Sequence, residues 1–122
     1  MKLQMLRADK LILSSEPSRG GETVFINIVN FPPIKKGKDE EFTEWFEWSN
    51  SIIRKSDGFI SRQLLKPTEE GNYAAIVVYE SEKTFMTMHQ SRERQEVWAK
   101  AGPLFDGNPT PHFYEVVITS KR

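Results

Sequence analysis

The segment from Val24 to Phe31 reads VFINIVNF, and both of its alternating faces are apolar except for one asparagine on each, Asn27 and Asn30. A strand with one face in water alternates apolar and polar side chains, so this pattern predicts a strand that is covered on both sides. Helices of the same chain can cover one face. Because a chain of 122 residues has few elements left for the other face, we expect a second copy of the chain to cover it.

Asn27 lies in the middle of this predicted strand, between apolar neighbours. A side-chain amide in a dry layer must find hydrogen-bond partners within the protein or in a ligand, because leaving it unpaired is unfavourable. Asn27 is therefore the first candidate for a functional residue.

The composition argues against several classes of protein. The 17 basic and 17 acidic side chains cancel, so no net field favours nucleic acid or an anionic membrane as a partner. Cysteine is absent, which excludes disulfides and thiolate chemistry and fits a reducing compartment, and we expect a cytoplasmic protein. No apolar run approaches the roughly 18 residues of a membrane span, and charged residues interrupt positions 1–13 before a signal-type apolar core can form.

The rest of the chain predicts alternating strands and helices. We expect strands near residues 24–31, 59–66, 73–80 and 112–119, and helices near residues 39–56 and 81–101. The order strand, helix, strand, strand, helix, strand predicts an α+β ferredoxin-like βαββαβ domain, with a four-stranded antiparallel sheet and both helices on one face. We assign this domain to residues 23–122. Residues 1–22 are then an N-terminal extension, in which residues 10–13 are expected to add an edge strand.

Local signals define several boundaries of these elements. Ser81 is a plausible N-cap of the second helix, and Gly58 is free to take the left-handed conformation that ends the first. We expect the last strand to be apolar on both faces, through Phe113, Val116 and the two residues that follow, Val117 and Ile118.

The predicted sheet has one face without helices. Its expected residues include Ile26 and Ile28 from the first strand and Ile76 and Val78 from the third, which form an apolar patch too large to leave in water. A twofold homodimer that packs sheet against sheet would remove this patch from water.

Three segments carry a resemblance to a known family. They are FINIVNFP at residues 25–32, DGFISRQLLKP at residues 57–67 and VYESEKTF at residues 78–85. Over residues 24–118 the chain resembles the antibiotic biosynthesis monooxygenase family of dimeric α/β barrels, and within that family it is most similar to the haem-degrading monooxygenases. The resemblance implies the fold and a homodimer, and it implies an oxidoreductase.

The resemblance also implies where a site lies. In the haem-degrading members an asparagine on the first strand and a tryptophan and a histidine on the second helix form the pocket. Asn27 matches the asparagine, whereas the tryptophan position falls near Met88 and the histidine position near Val97, with Trp98 beside it. This departure puts haem chemistry in doubt, because the axial ligand sets the chemistry of haem iron.

His89 is the candidate to replace the missing histidine, since it lies within one turn of Phe85 and Met88 on the inward stripe. The alternative is an exposed or structurally satisfied histidine at a helix end. Arg62 and Arg94 are candidates for binding haem propionates if they border the pocket.

A second chemistry implied by the resemblance is cofactor-independent oxygenation, in which an electron-rich phenol or quinol itself reduces oxygen. Such a site needs a dry pocket, a group that hydrogen-bonds to the substrate oxygen and aromatic walls. Asn27 and His89 are the catalytic candidates. The candidate substrate-binding residues are Trp45, Phe46, Tyr79, Phe85, Met88, Trp98 and Phe105. The alternative for these aromatic residues is an ordinary place in the core.

Two functions therefore remain open. The first is a small dimeric monooxygenase that acts on an aromatic, quinol-type or haem-like substrate, with no cofactor assigned and haem open as substrate or ligand. The second is a non-enzymatic ligand-binding or stress-response protein that keeps the dimeric barrel and lacks the reaction. Both predict a small aromatic molecule or haem as partner, and neither predicts nucleic acid or a membrane.

Overall fold

The computed structural model describes residues 23–122. Its elements are β1 (Phe25–Asn30), α1 (Asp39–Ile53), β2 (Phe59–Leu65), β3 (Ala74–Tyr79), α2 (Glu82–His89), α3 (Arg92–Ala99), a 3-10 turn (Gly102–Leu104) and β4 (Thr110–Glu115). The added strand expected at residues 10–13 lies outside the described residues.

The four strands form one antiparallel sheet in the order β2-β3-β1-β4, which confirms the predicted α+β ferredoxin-like architecture. β1 is an inner strand, between β3 and β4. Asn27 pairs with Val77 of β3 on one side and with Phe113 of β4 on the other, and Val77 in turn pairs with Arg62 of β2. Directly opposed residues share a face of a sheet, so these four side chains form one row across it.

The helices cover one face of this sheet. Along β1, the buried residues Phe25, Asn27 and Val29 face the helices and alternate with the less buried Ile26 and Ile28. β3 shows the same alternation, with its buried side chains on the helix side. The helix-free face therefore remains partly exposed in the single chain.

The second predicted helix, at residues 81–101, is in fact two helices separated at Ser91. The Ser91 Oγ accepts a hydrogen bond from the Arg94 backbone N–H at 3.1 Å and donates one to the Met88 carbonyl at 2.6 Å. A serine side chain that bonds backbone groups in this way ends one helix and caps the next. The chain therefore changes direction between α2 and α3.

The predicted cap at Ser81 and the predicted turn at Gly58 are confirmed. Ser81 caps α2, since its Oγ accepts a hydrogen bond from the Thr84 backbone N–H at 3.1 Å. Gly58 has a φ of +78°, and a Cβ at this position would collide with the Thr84 side chain. The absence of a side chain thus lets the turn after α1 pack against the first turn of α2. α1 itself ends at Ile53, three residues before the predicted end at residue 56.

The last strand differs from the prediction of residues 112–119. It begins earlier, at Thr110, and includes Pro111, because β4 is an edge strand and an edge position tolerates the missing N–H of proline. All its residues are exposed, and Val117 and Ile118 lie beyond its end with 78% and 82% of their surface exposed. The expectation that this strand is apolar on both faces is therefore wrong, because three of the four residues on which it depended, Val116, Val117 and Ile118, lie beyond the end of the strand.

The longest described helix, α1, has 15 residues. No helix within residues 23–122 has the length and apolar character that crossing a bilayer requires.

Candidate active site

A cavity of about 190 Å³ lies between the helix-covered face of the sheet and the helices. Much of its wall is apolar, from side chains of the sheet such as Val29 and Val77 and from helical residues such as Trp98. The polar and charged residues that the structure places in its wall are Asn27, Arg62, His89 and Arg94. An apolar cavity with a few convergent polar groups is the usual form of a small-molecule site.

Asn27 contributes a hydrogen-bond acceptor to this cavity. Its residue surface is only 6% exposed, and its Oδ1 has no hydrogen-bond partner among residues 23–122. A buried polar atom without a partner costs about 1–3 kcal/mol of stability. A ligand hydroxyl that donates to Oδ1 would recover this free energy.

Arg62 contributes a positive charge that is held in place from several sides. Its Nη1 donates to Ser49 Oγ and to Asn50 Oδ1, both at 2.6 Å, and its guanidinium carbon lies 4.1 Å from the centre of the Phe46 ring. Burial lowers the pKa of Arg62 to about 10, which still leaves the side chain cationic at neutral pH. No carboxylate of residues 23–122 lies within ion-pair distance of it.

His89 is half-buried and stacks on Phe85, with the ring centres 5.4 Å apart. Desolvation, followed by the positive charge of Arg94, lowers the pKa of His89 below its usual 6.5. The imidazole is therefore neutral at pH 7 and can accept a proton. No group of three His, Asp or Glu side chains that could hold a metal ion occurs in the described part of the chain.

Arg94 reaches the cavity from the first turn of α3. Its guanidinium carbon lies 5.6 Å from the centre of the Trp98 ring, and burial lowers the pKa of Arg94. The indole ring of Trp98 and the Arg94 side chain together form the part of the wall that α3 supplies.

These groups have complementary chemical capacities. The Asn27 amide can bind a hydroxyl, the neutral His89 imidazole can remove its proton, and the positive charge of the cavity wall favours the resulting anion in an apolar setting. Such an arrangement suits the deprotonation of a phenol.

The structure brings five of the predicted site residues together at this cavity. They are Asn27, Phe85, Met88, His89 and Trp98. Arg62 and Arg94, named from the sequence on the condition that they border the pocket, do line it.

The other four predicted site residues lie in the core and do not line the cavity. Trp45 donates its indole N–H to the Val97 carbonyl at 2.9 Å, and the Tyr79 hydroxyl is hydrogen-bonded to Ser56. Phe105 packs against Phe31 and Phe42. The Phe46 ring packs against the Arg62 guanidinium.

Sequence reasoning missed other parts of the wall. Ala75 and Ile53 line the cavity from β3 and α1, and Pro109 and Pro111 line it from the start of β4. The apolar pattern of β3 contained the signal for Ala75. No local signal places the two prolines, because their position depends on how β4 joins the edge of the sheet.

A comparison with protein-family models matches residues 25–100 to the family described as antibiotic biosynthesis monooxygenase. Among curated proteins, a search finds no match.

Solved structures share the fold. A proposed antibiotic biosynthesis monooxygenase from Caulobacter crescentus is 20% identical with a TM-score of 0.70, over 80% of this chain and 92% of that chain. Another, from Bordetella bronchiseptica, is 19% identical with a TM-score of 0.69, over 80% of this chain and 100% of that one. SnoaB, a cofactor-independent oxygenase from Streptomyces nogalater, is 18% identical with a TM-score of 0.56, over 82% of this chain and 93% of that chain. At these identities the likeness establishes the fold alone.

Proposed function

The chain belongs to the antibiotic biosynthesis monooxygenase family, and from this premise we propose that it is a cofactor-independent monooxygenase of a compact phenol bound in the cavity. The observation that carries the proposal is the buried Asn27 Oδ1, an acceptor that has no hydrogen-bond partner among residues 23–122. The neutral His89, which lines the same cavity, supports proton removal, and the shared fold with SnoaB supports oxygenation without a cofactor.

The reaction requires no external reductant. The substrate reacts as its enol form, a phenol in which one hydrogen of an activated ring CH₂ group has moved to the oxygen. Its hydroxyl donates to Asn27 Oδ1, and His89 removes that proton to leave an electron-rich aryl oxide. Oxygen adds at the ring carbon, which keeps one hydrogen, and the peroxide takes back the proton from His89. Cleavage of the O–O bond with loss of the remaining C–H hydrogen releases water and leaves a carbonyl. In this balance CH₂ plus O₂ gives C=O plus H₂O, and the substrate supplies all four electrons.

The size of the cavity supports a compact substrate. At about 190 Å³ it is smaller than the roughly 300–1,000 Å³ of pockets for drug-sized ligands. This volume favours a flat fused-ring phenol over haem, which exceeds drug size. A substrate that fills this volume displaces water, which strengthens the charge interactions inside.

Oxygen uptake with anthrone, whose enol tautomer is a fused-ring phenol, tests the proposal. The expected product is anthraquinone, with one atom of oxygen-18 from labelled O₂ in the new carbonyl. Asn27→Leu keeps the side-chain size and removes the amide, so it should stay folded and lose about 10²-fold or more in kcat/KM, as for removal of a group that binds the reacting oxygen. Asn30→Leu, on the helix-free face of the same strand, is the matched control. Unchanged turnover in folded Asn27→Leu would contradict the proposal.

A ligand-binding function without turnover is the second candidate. It is favoured by Val97, at the position where the resemblance expects a histidine, because Val97 is fully buried and does not line the cavity. Adding hemin and then a reductant in air separates the outcomes. A Soret shift followed by bleaching indicates haem degradation, a stable shift indicates binding alone, and no shift leaves the phenol proposal in place.

A further inference from the structure

The wall of the cavity carries positive charge without a compensating negative charge. Arg62 and Arg94 both line it, and neither Asp nor Glu of residues 23–122 does. The other two polar members of the wall, Asn27 and His89, are neutral at pH 7. The chain as a whole is balanced between acidic and basic residues, so this excess is local to the cavity.

Arg62 is the more deeply buried of the two arginines, and its described partners are neutral. Its Nη1 donates to Ser49 and Asn50, and its plane packs on Phe46. A buried cation is normally paired with an anion, because desolvation disfavours its charge. In the part of the chain that the structure describes, Arg62 has no such pair.

The Arg62 guanidinium retains hydrogen-bonding capacity. It carries five N–H groups, and the two bonds to Ser49 and Asn50 both come from Nη1. Within residues 23–122 the N–H groups on Nε and Nη2 make no hydrogen bond, and these form the planar fork that binds a carboxylate through two parallel hydrogen bonds. Arg62 is thus held in place by one nitrogen while this fork remains for a ligand.

Arg62 and Asn27 are placed for one ligand to reach both. They lie in the same row of the sheet on either side of Val77. Because neighbouring strands are about 4.8 Å apart, the two backbones are separated by roughly 10 Å. The long Arg62 side chain shortens this span, so a single aromatic molecule lying over Val77 can meet the guanidinium at one end and the amide at the other.

We propose that this cavity binds an aromatic hydroxy acid, with the ligand's carboxylate on Arg62, its hydroxyl on Asn27 and Arg94 as a second positive charge in the wall. The inference rests on the proposed function for the aromatic ring and the hydroxyl. It adds that the substrate class is anionic.

A purely structural Arg62 makes a different prediction. In that case Arg62 only ties the last turns of α1 to the sheet through Ser49 and Asn50. It would then not distinguish a charged ligand from a neutral ligand of the same shape. Charge discrimination is therefore the property to measure.

Gentisate, a dihydroxybenzoate, and its primary amide form a matched pair, because they share the ring and both hydroxyls and differ in charge. Dissociation constants measured by calorimetry under argon, where no oxygenation occurs, report binding alone. The wild-type protein should bind the acid about 10- to 100-fold more tightly than the amide, since a hydrogen-bonded buried charge contributes in that range. The preference should depend only weakly on salt, as expected for a buried pair.

The variants locate the effect. Arg62→Gln should remove most of the preference by weakening binding of the acid much more than binding of the amide, and Arg94→Gln should reduce the preference. Arg54→Gln changes an exposed arginine just after α1 and should preserve it. Circular dichroism shows whether each variant is folded.

Several results would overturn the inference. They are equal affinity of the wild type for acid and amide, no binding of the acid, and a full preference in folded Arg62→Gln. The wild-type comparison needs no variant, so misfolding of Arg62→Gln leaves the test intact. Preferential binding without oxygen uptake from any phenol would keep this inference and refute the monooxygenase. Oxygenation of neutral phenols without any preference for acids would keep the monooxygenase and refute this inference.

Discussion

Asn27 holds a hydrogen-bond acceptor in the core where an apolar side chain would pack without cost. Replacing Asn27 by Leu removes an Oδ1 that has no partner within residues 23–122 and keeps a similar volume, so we expect the free energy of unfolding to rise by about 1 kcal/mol. Urea denaturation measures this change. Asn30→Leu alters an exposed position and should shift stability by less than about 0.5 kcal/mol.

A large loss of stability in Asn27→Leu would have a different meaning. It would show that the amide is hydrogen-bonded within the assembled protein, and Asn27 would then be structural. The activity of Asn27→Leu and its stability are therefore two independent measurements of the role of Asn27 Oδ1.

His89 makes stability depend on pH in a defined direction. Its pKa is lowered in the folded state, by desolvation first and then by Arg94, whereas the unfolded chain titrates near 6.5. Below about pH 6.5 the unfolded state therefore binds more protons, and the free energy of unfolding falls as the pH is lowered towards the folded-state pKa. Above that pH both states are neutral and the contribution disappears.

His89→Gln should flatten this decline, and urea titrations of wild type and variant at several pH values measure the difference. His112 is present in both proteins, so the difference between the two curves isolates His89. Parallel curves would mean that protonation of His89 does not differ between the folded and unfolded states.

The sequence indicated which residues of β1 and α2 reach the cavity more reliably than which residues of α1 do. Asn27 stood out because it interrupts an apolar strand, and His89 because it shares a helical face with Phe85. Trp45 lies on an equally apolar stripe, yet its indole bonds to the Val97 carbonyl in the core. Periodicity fixes the face of a helix but not the point along it where a neighbour crosses, and that crossing depends on α3.

At the scale of elements, Trp45 is the link between α1 and α3. Trp45→Phe removes the donor to the buried Val97 carbonyl and should lower the free energy of unfolding by about 1–3 kcal/mol, as measured by urea denaturation. Oxygen uptake per folded molecule should be unchanged, because Trp45 does not line the cavity.

Trp48→Phe supplies the control on the same helix. Trp48 is 39% exposed, so the change should cost less than about 0.5 kcal/mol. Similar losses in the two variants would show that the hydrogen bond to Val97 contributes little to the docking of α1.

The break between α2 and α3 shows what a single sequence conceals at this scale. Apolar residues Val97, Trp98 and Ala101 continue the helical spacing of α2, so the pattern predicts one helix over residues 81–101. Ser91 is compatible with a helix interior and with a cap. In the folded protein its Oγ bonds the Met88 carbonyl and the Arg94 backbone N–H, and these bonds make it a cap.

For the whole molecule, the fold could be predicted because its signals are local and agree. The apolar strand at residues 24–31, the helix from Asp39 and the turn at Gly58 each identify an element from its own residues. The bounds of β4 could not be predicted in this way. Pro111 is allowed within β4 only because that strand lies at the edge, which is a property of the strand order and not of the segment.

The partly exposed helix-free face supports the predicted homodimer, which remains a proposal. Ile28 and Ile76 are direct partners near the middle of this face, next to the pair Ile26 and Val78. Ile76→Glu would place a charge there, and burying an unpaired charge is strongly unfavourable. We expect this variant to sediment as a monomer where the wild type sediments as a dimer.

Gln95→Glu adds the same charge to the exposed surface of α3 and should leave the dimer intact. A wild-type protein that sediments as a monomer at every concentration would contradict the sheet-to-sheet dimer. So would an unchanged profile for Ile76→Glu.

Alternation along β1 places Asn27 one residue from Ile26 and one from Ile28, on the opposite face. The proposed catalytic amide and the proposed subunit contact thus share a single strand, separated by one peptide unit on each side. By mass action, dilution below the dimer dissociation constant removes the support behind that strand. Specific activity should then decrease as the enzyme is diluted through the range in which sedimentation detects dissociation. It should recover when the diluted enzyme is concentrated again. A specific activity that stays constant through that range would mean that β1 holds Asn27 in position without its partner.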